Sequence, residues 1–531
     1  MRCAGATIGV TGEEKSAKRT GAAIMFRTIA LLVCLTLSAA LAMAQDRAPQ
    51  APVSAATSEC LMCHESLHPG IVEAWKKSRH AAVTPAEAFS LAGSKRRISA
   101  ESVPEKYADT AVGCAECHTT RAEKHADSFP HSGYSVHVAV SPDDCAQCHA
   151  KEREQYTRNI MAEAWGNLAE NPLFMQMVRA INDVPVYDGG LLSSRAASTS
   201  TDEETCFSCH GTKLRMTGIE TRDTIMGEME FPLIEGWPNS GVGRVNLDGS
   251  KGSCTACHAR HQFSMEMARK PETCMVCHSG PDVPAYKVYK ASRHGNLHSA
   301  LGKDWNYSAI PWTAGQDFGA PTCAVCHVSR VAGGDGVVVA ERTHAMSDRL
   351  PWRIFGVPYA TAHPKSADTS IIRNADGQPL PATLDNRPAT EFLVDKAEQN
   401  KRLAAMQSVC LPCHDASWVD GYFARLETTI EETNAATLAA TRIMQRIWAE
   451  GLADDGNPFD EYIERVWARS WLFYATTTRF ASAMAGGGDY AVFENGRYQL
   501  METVRKLDDW HRARSAKADV NTATKTPTTA P

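Results

Sequence analysis

Beyond residue 44 the chain contains no apolar run long enough for a bilayer, which needs about 20 helical residues, so no membrane span is expected in the mature protein. It also lacks a basic excess. Lys and Arg number 55 against 61 Asp and Glu, a net charge of −6, and without a cationic surface no nucleic-acid partner is expected. Strand-type alternation is scarce, which points away from sheets and towards helices and irregular segments. Cysteine is scarce too once a single repeated pattern is set aside, because of 18 Cys only Cys3 and Cys34 fall outside it.

That pattern is C-x-x-C-H. It occurs eight times, at Cys60, Cys63 and His64; Cys114, Cys117 and His118; Cys145, Cys148 and His149; Cys206, Cys209 and His210; Cys254, Cys257 and His258; Cys274, Cys277 and His278; Cys323, Cys326 and His327; and Cys410, Cys413 and His414. A chain of this composition would show it about 0.02 times by chance. The spacing is that of c-type heme attachment, in which two thiols add across the vinyl groups and the adjacent His ligates the iron. Zinc ribbons pair C-x-x-C units around one ion and do not require His after each. A dithiol redox motif occurs once rather than eight times. Eight covalently bound hemes c are therefore expected.

Residues 26–44 carry Arg27, an apolar run from Ile29 to Leu37 and Ala42-Met43-Ala44, the layout of a secretory signal peptide with a small-residue cleavage site; Met25 is an alternative start. Signal peptide and heme motifs agree on a periplasmic or otherwise exported protein. Residues 1–44 hold five Lys or Arg and two Asp or Glu, so the mature chain keeps 50 basic against 59 acidic residues, about −9. A basic or neutral redox cytochrome would suit it as a partner.

The spacing of motifs divides the chain into a signal peptide over 1–44, a multiheme cytochrome c domain over 45–420, a helical region over 421–514 and a disordered tail over 515–531. The fold class expected is mainly α, irregular around the hemes and long-helical at the C-terminal end. From Gly421, Leu426, Ile430, Leu438, Ile443 and Ile447 recur at helical spacing. A second helix follows Asn457-Pro458 through Tyr462, Val466, Trp467, Trp471 and Phe473. Gly486-Gly487-Gly488 breaks the chain before a last helix over 497–514. Helices of this kind suit subunit packing.

Eleven His lie outside the motifs. Electron-transfer hemes use two axial ligands and substrate-binding hemes leave one side open, so the count allows seven bis-His hemes and one open heme. His80, His261, His294 and His344 are the first candidates for second axial ligands, with His131 and His137 behind them. His68 and His511 read as surface residues.

Gly236-Trp237-Pro238, Gly241-Val242-Gly243-Arg244, Asp248-Gly249-Ser250, Arg260-His261-Gln262-Phe263-Ser264 and Gly280-Pro281-Asp282, interleaved with the fifth and sixth motifs, resemble the octaheme hydroxylamine oxidoreductase family. The likeness extends through heme order and helical C-terminal region to almost the whole mature chain. It implies a homotrimer in which the fourth heme, at Cys206, Cys209 and His210, is catalytic and seven others are bis-His wires. Oxidative members cross-link that heme to a tyrosine of a neighbouring subunit. Tyr490 matches the position, with Gly496 and Tyr498 following and Tyr498 as the alternative. One departure stands out: where oxidative members place an Asp-His pair, this chain has Asp282 followed by Val283. Asp282, Tyr490 and His210 are the expected catalytic residues.

The resemblance implies oxidation of hydroxylamine to nitrite or nitric oxide. The alternatives are reduction of nitrite or hydroxylamine on the same scaffold, and a non-catalytic electron conduit. Because porphyrin should supply much of the core, export through the signal peptide is expected to yield holoprotein and cytoplasmic expression unfolded apoprotein. Denaturing mass spectrometry should find eight hemes on the exported chain, and a soluble folded heme-free form would contradict this.

Overall fold

The long C-terminal helix begins directly on the last heme motif. His414 is followed by Asp415, whose carboxylate accepts a hydrogen bond from the Trp418 backbone N–H at 3.0 Å and so caps the helix that follows. In the computed structural model, which describes residues 51–523 with side chains to 517, this helix runs Ala416–Ala449. The expected signal peptide, Cys3 and Cys34 lie outside the described residues, as does 524–531 of the tail.

The architecture is mainly α, as expected. Short helices carry the heme motifs: α1 (Ala55–Leu67) holds the first, and five-residue helices form Cys114–His118, Cys206–His210 and Cys323–His327. Two antiparallel hairpins sit around the fourth motif, β1 (Val184–Asp188) with β2 (Leu191–Arg195), and β3 (Arg215–Thr224) with β4 (Gly227–Glu235). The scarcity of alternation did not announce them. A strand alternates apolar and polar residues when one face is covered, whereas β1 and β2 are exposed at every position.

The C-terminal region contains α2 (Ala416–Ala449), α3 (Tyr462–Arg469), a π-helical turn over Ser470–Ala475, α4 (Thr476–Ala483) and α5 (Arg497–Ala523). The first helix thus begins before the expected Gly421, and the last extends past 514 into the segment expected to be disordered. Leu426, Ile430 and Ile447 are buried as their spacing predicts, joined by Met444. Met444 and Ile447 pack with Ile463, Trp467, Trp471 and Leu507 in one apolar cluster. Buried Thr433, Thr437 and Thr441 form a stripe one helical turn apart, each hydroxyl donating to the carbonyl four residues earlier. Their small side chains let neighbours approach, and Trp467 donates its indole N–H to Thr441 at 3.0 Å.

These helices hold the motif region directly. Asn434 on α2 bonds both backbone groups of Ala360, and the fully buried Arg479 donates to Asn434 at 2.8 Å. His511, expected at the surface, is instead buried, its ring 2.7 Å from Glu450. The polar partner, brought within reach by the α2–α5 crossing, makes an inward His affordable. Leu507 is 0% exposed in the centre of the cluster. Leu507→Ala should cost about 2–5 kcal/mol, read as a lower denaturation midpoint with an unchanged heme spectrum in the folded protein.

Candidate redox site

Two imidazoles on one iron, each bound at about 2.0 Å, place their ring centroids roughly 6 Å apart. His64 and His131 are separated by 6.1 Å, His149 and His80 by 6.3 Å, and His414 and His294 by 6.3 Å. His344 lies in the field of His258, and His261 in that of His118. Burial pushes His80, His258 and His344 down to about 4, which keeps them as the neutral imidazoles that ligate metals. The residues therefore fit heme c.

His261 sits in a strained loop, with φ of 69° at His261 and 47° at Phe263. Non-glycine residues are held there when the surrounding structure over-determines the position. The loop turns His261 towards the second motif.

His137 does not behave as an axial ligand. Its centroid is 6.1 Å from that of His118, but its carbonyl accepts the His118 Nδ1–H at 2.8 Å and its own Nε2 contacts the Thr120 carbonyl at 3.0 Å. His125 covers its face at 3.7 Å and 7°. It orients the motif histidine instead of sharing a metal with it. His125, His137 and Asp144 cluster closely enough to suggest an ion site. The parallel rings argue against one, since a metal must lie near the plane of each imidazole. Burial pushes His125 down, but Asp127 and Asp144 outweigh it and lift it to about 9. The cluster is a buried ion pair. Sequence reasoning gave His363 no role, yet it is buried and lines a cavity of about 370 Å³ with Arg158, Lys365 and Arg402. Burial was the missing signal.

The attachment thiols approach one another between motifs. Cys145 lies beside Cys254, Cys209 beside Cys277, and Cys274 beside Cys323. Cys60 lies close enough to raise the pKa of Cys114, Cys148 to raise Cys117, Cys274 to raise Cys257, and Cys410 to raise Cys326. The order is first, second, third, fifth, sixth, seventh and eighth, with the fourth branching from the sixth. Among the attachment cysteines the exposed ones are Cys63 and Cys413, in the first and eighth motifs at the ends of this line.

At the fourth motif the Gly-rich segment 241–244 runs against the backbone. Val242 N–H donates to Cys209 O at 3.0 Å and Gly243 N–H to His210 O at 3.2 Å. A Cβ on Gly243 would stand 2.6 Å from His210 O, so glycine is required by close approach. His210 donates from Nδ1 to the Ala164 carbonyl at 3.0 Å. Burial lowers its pKa, and Asp282 is the charged neighbour that raises it. Asp282 is half-buried and folds over Gly280, where a Cβ would meet its Oδ1. Burial raises the Tyr490 hydroxyl, with Asp282 among the contributors. Asn495 donates to that hydroxyl at 3.3 Å and contacts the Pro281 carbonyl at 3.4 Å. Asp282 thus acts electrostatically on both His210 and Tyr490 of its own chain. Tyr498 is 50% exposed, and its ring packs on Phe493.

A solved structure described as a hypothetical multiheme protein is 36% identical, with TM-score 0.83, and the alignment covers 88% of this chain and 98% of that one. The chain belongs to the multiheme cytochromes c. Consistent with this, residues 244–353 match the family described as seven times multi-haem cytochrome CxxCH, and 59–136 and 144–230 match cytochrome c554 and c-prime. A probable nitrite reductase-hydroxylamine oxidoreductase fusion protein of Kuenenia stuttgartiensis is 24% identical over 351 residues, 59% of this chain and 38% of that protein. The cytochrome thus spans well under half of that relative's length. A reducing HAO-like protein complex of the same organism shares the fold at 16% identity and TM-score 0.57, over 88% of this chain and 87% of that one. Among the described residues no helix is long and apolar enough to cross a membrane.

Replacing His294 by Ala should convert one low-spin ferric signal to high-spin in electron paramagnetic resonance, whereas His511→Ala should leave the spin states unchanged. An unaltered His294→Ala spectrum would remove His294 from the ligand set.

Proposed function

We propose that this cytochrome is an octaheme enzyme that oxidises hydroxylamine at its fourth motif and passes the electrons along seven bis-His hemes to a partner cytochrome. The observation that carries the reading is the contrast around the motif histidines. His64, His149 and His414 each face a second imidazole at about 6 Å, while His210 has as its charged neighbour the carboxylate of Asp282, which also acts on His278 of the adjoining sixth motif. Heme c held there by Cys206, Cys209 and His210 would supply an iron to bind a small nitrogen compound and a carrier for its electrons.

The rest falls to the chain's own residues. Taking hydroxylamine to nitric oxide releases as many protons as electrons. We assign Asp282 as the base that accepts them; Val283 beside it has no atom that can. Ala164 holds His210 by its Nδ1–H, which fixes the ring and leaves Nε2 for the metal. Tyr490 is the residue we assign to the cross-link, made to the fourth heme of a neighbouring subunit in a homotrimer. Export to the periplasm through residues 1–44 belongs to the same reading.

Val283 favours a second reading, reduction of nitrite or hydroxylamine. In it Tyr490 remains a free phenol, its hydroxyl kept protonated by burial and held by Asn495, and the site delivers protons instead of removing them. The two readings differ in the optical spectrum, because a tyrosine-modified heme absorbs away from ordinary heme c.

Asp282→Asn should lower turnover about 10²- to 10⁴-fold, the usual contribution of a positioned base, with the bis-His spectrum intact. Tyr490→Phe should abolish the displaced absorption band and weaken oxidation relative to reduction, both assayed with artificial electron partners. Wild-type turnover in Asp282→Asn would overturn the catalytic assignment. An unchanged spectrum in Tyr490→Phe would assign the enzyme to the reductive reading.

A further inference from the structure

The first motif differs from others in what receives the proton of its histidine. His118 and His210 donate from Nδ1 to backbone carbonyls, of His137 and Ala164, at 2.8 and 3.0 Å. His64 instead has its Nδ1 2.9 Å from Nδ1 of His68, with centroids 5.0 Å apart and planes at 25°. His68 lies one turn on, immediately after α1, where its backbone N–H bonds the His64 carbonyl at 2.8 Å. The covalent motif fixes His64 and the helix end fixes His68.

With Nε2 of His64 directed to the iron, its proton sits on Nδ1, and His68 must accept through Nδ1 while carrying its own proton on Nε2. A neutral imidazole nitrogen is a stronger base than an amide oxygen. Hydrogen bonding to it draws the His64 proton further away, makes His64 a more electron-rich ligand and favours ferric over ferrous iron. Position gives the bond its consequence. The first motif stands at the end of the line of neighbouring motifs and has the exposed Cys63, beside Met62, Leu67 and Ile71, which are 76%, 45% and 44% exposed.

We propose that His68 is a positioning residue that lowers the reduction potential of the terminal heme by accepting the His64 Nδ1–H, and so sets the equilibrium between that heme and the second. The proposal does not depend on the substrate or on the direction of turnover.

The test uses exported holoprotein in redox titrations followed by paramagnetic resonance, at a pH where free imidazole is neutral. The signal that His131→Ala removes identifies the first heme. His68→Phe keeps a ring and removes the acceptor, and His68→Gln restores an acceptor through Oε1. His68→Phe should shift the equilibrium between the first and second hemes about tenfold towards reduction of the first, which is about 59 mV for a one-electron couple. His68→Gln should return much of the shift, and the other signals should hold their midpoints. An unmoved first-heme midpoint in His68→Phe would overturn the proposal, as would a shift spread over several hemes or one that His68→Gln leaves in full.

Discussion

The constraint on which the rest depends is covalent: two thiols and a histidine within five residues must meet one porphyrin. A five-residue helix does this economically, since it turns both thiols and the imidazole to one side, as in Cys114–His118, Cys206–His210 and Cys323–His327. Repeated along the chain, the constraint leaves little polypeptide for an independent apolar core around the motifs. Much of what remains is spent on carbonyls, caps and tight glycine contacts that hold the motifs in place. Side-chain packing of the ordinary kind is strongest elsewhere, where α2 to α5 close around Trp467, Trp471 and Leu507.

Position then separates the roles of chemically identical units. Neighbouring attachment cysteines from Cys60 to Cys410 make a line with exposed ends. The fourth motif stands off it, joined through Cys209 and Cys277. A branch is a sensible place for a site that exchanges electrons with the line without interrupting it. Asp282 is the charged neighbour of its histidine, as it is of His278 in the sixth motif. The motif histidines are distinguished again by their hydrogen-bond acceptors, which are carbonyls for His118 and His210 and an imidazole for His64.

The attachment residues were legible in the sequence because their chemistry fixes their spacing. The long helices were legible because one face is buried, and Leu426, Ile430 and Ile447 recorded it. The first hairpin was not, because strands exposed on both faces leave no alternation to read. Axial ligands were legible only in part, since they come from distant segments. His80, His131 and His294 fell where a ligand was expected, whereas His137 had the right neighbour and the wrong atom facing it. His363 and His511 were buried by elements that no local pattern joins to them. His68 looked like a surface residue and is one; what its exposure hid was the atom it faces.

The central claim is that one motif holds an open heme while the others are closed by two imidazoles. Quantitative paramagnetic resonance of the resting ferric protein, with and without added hydroxylamine or nitrite, tests it most directly. The account predicts a single high-spin ferric centre that changes on addition of the nitrogen compound while the low-spin signals persist. A spectrum with every heme low-spin and indifferent to both compounds would contradict it and leave an electron conduit.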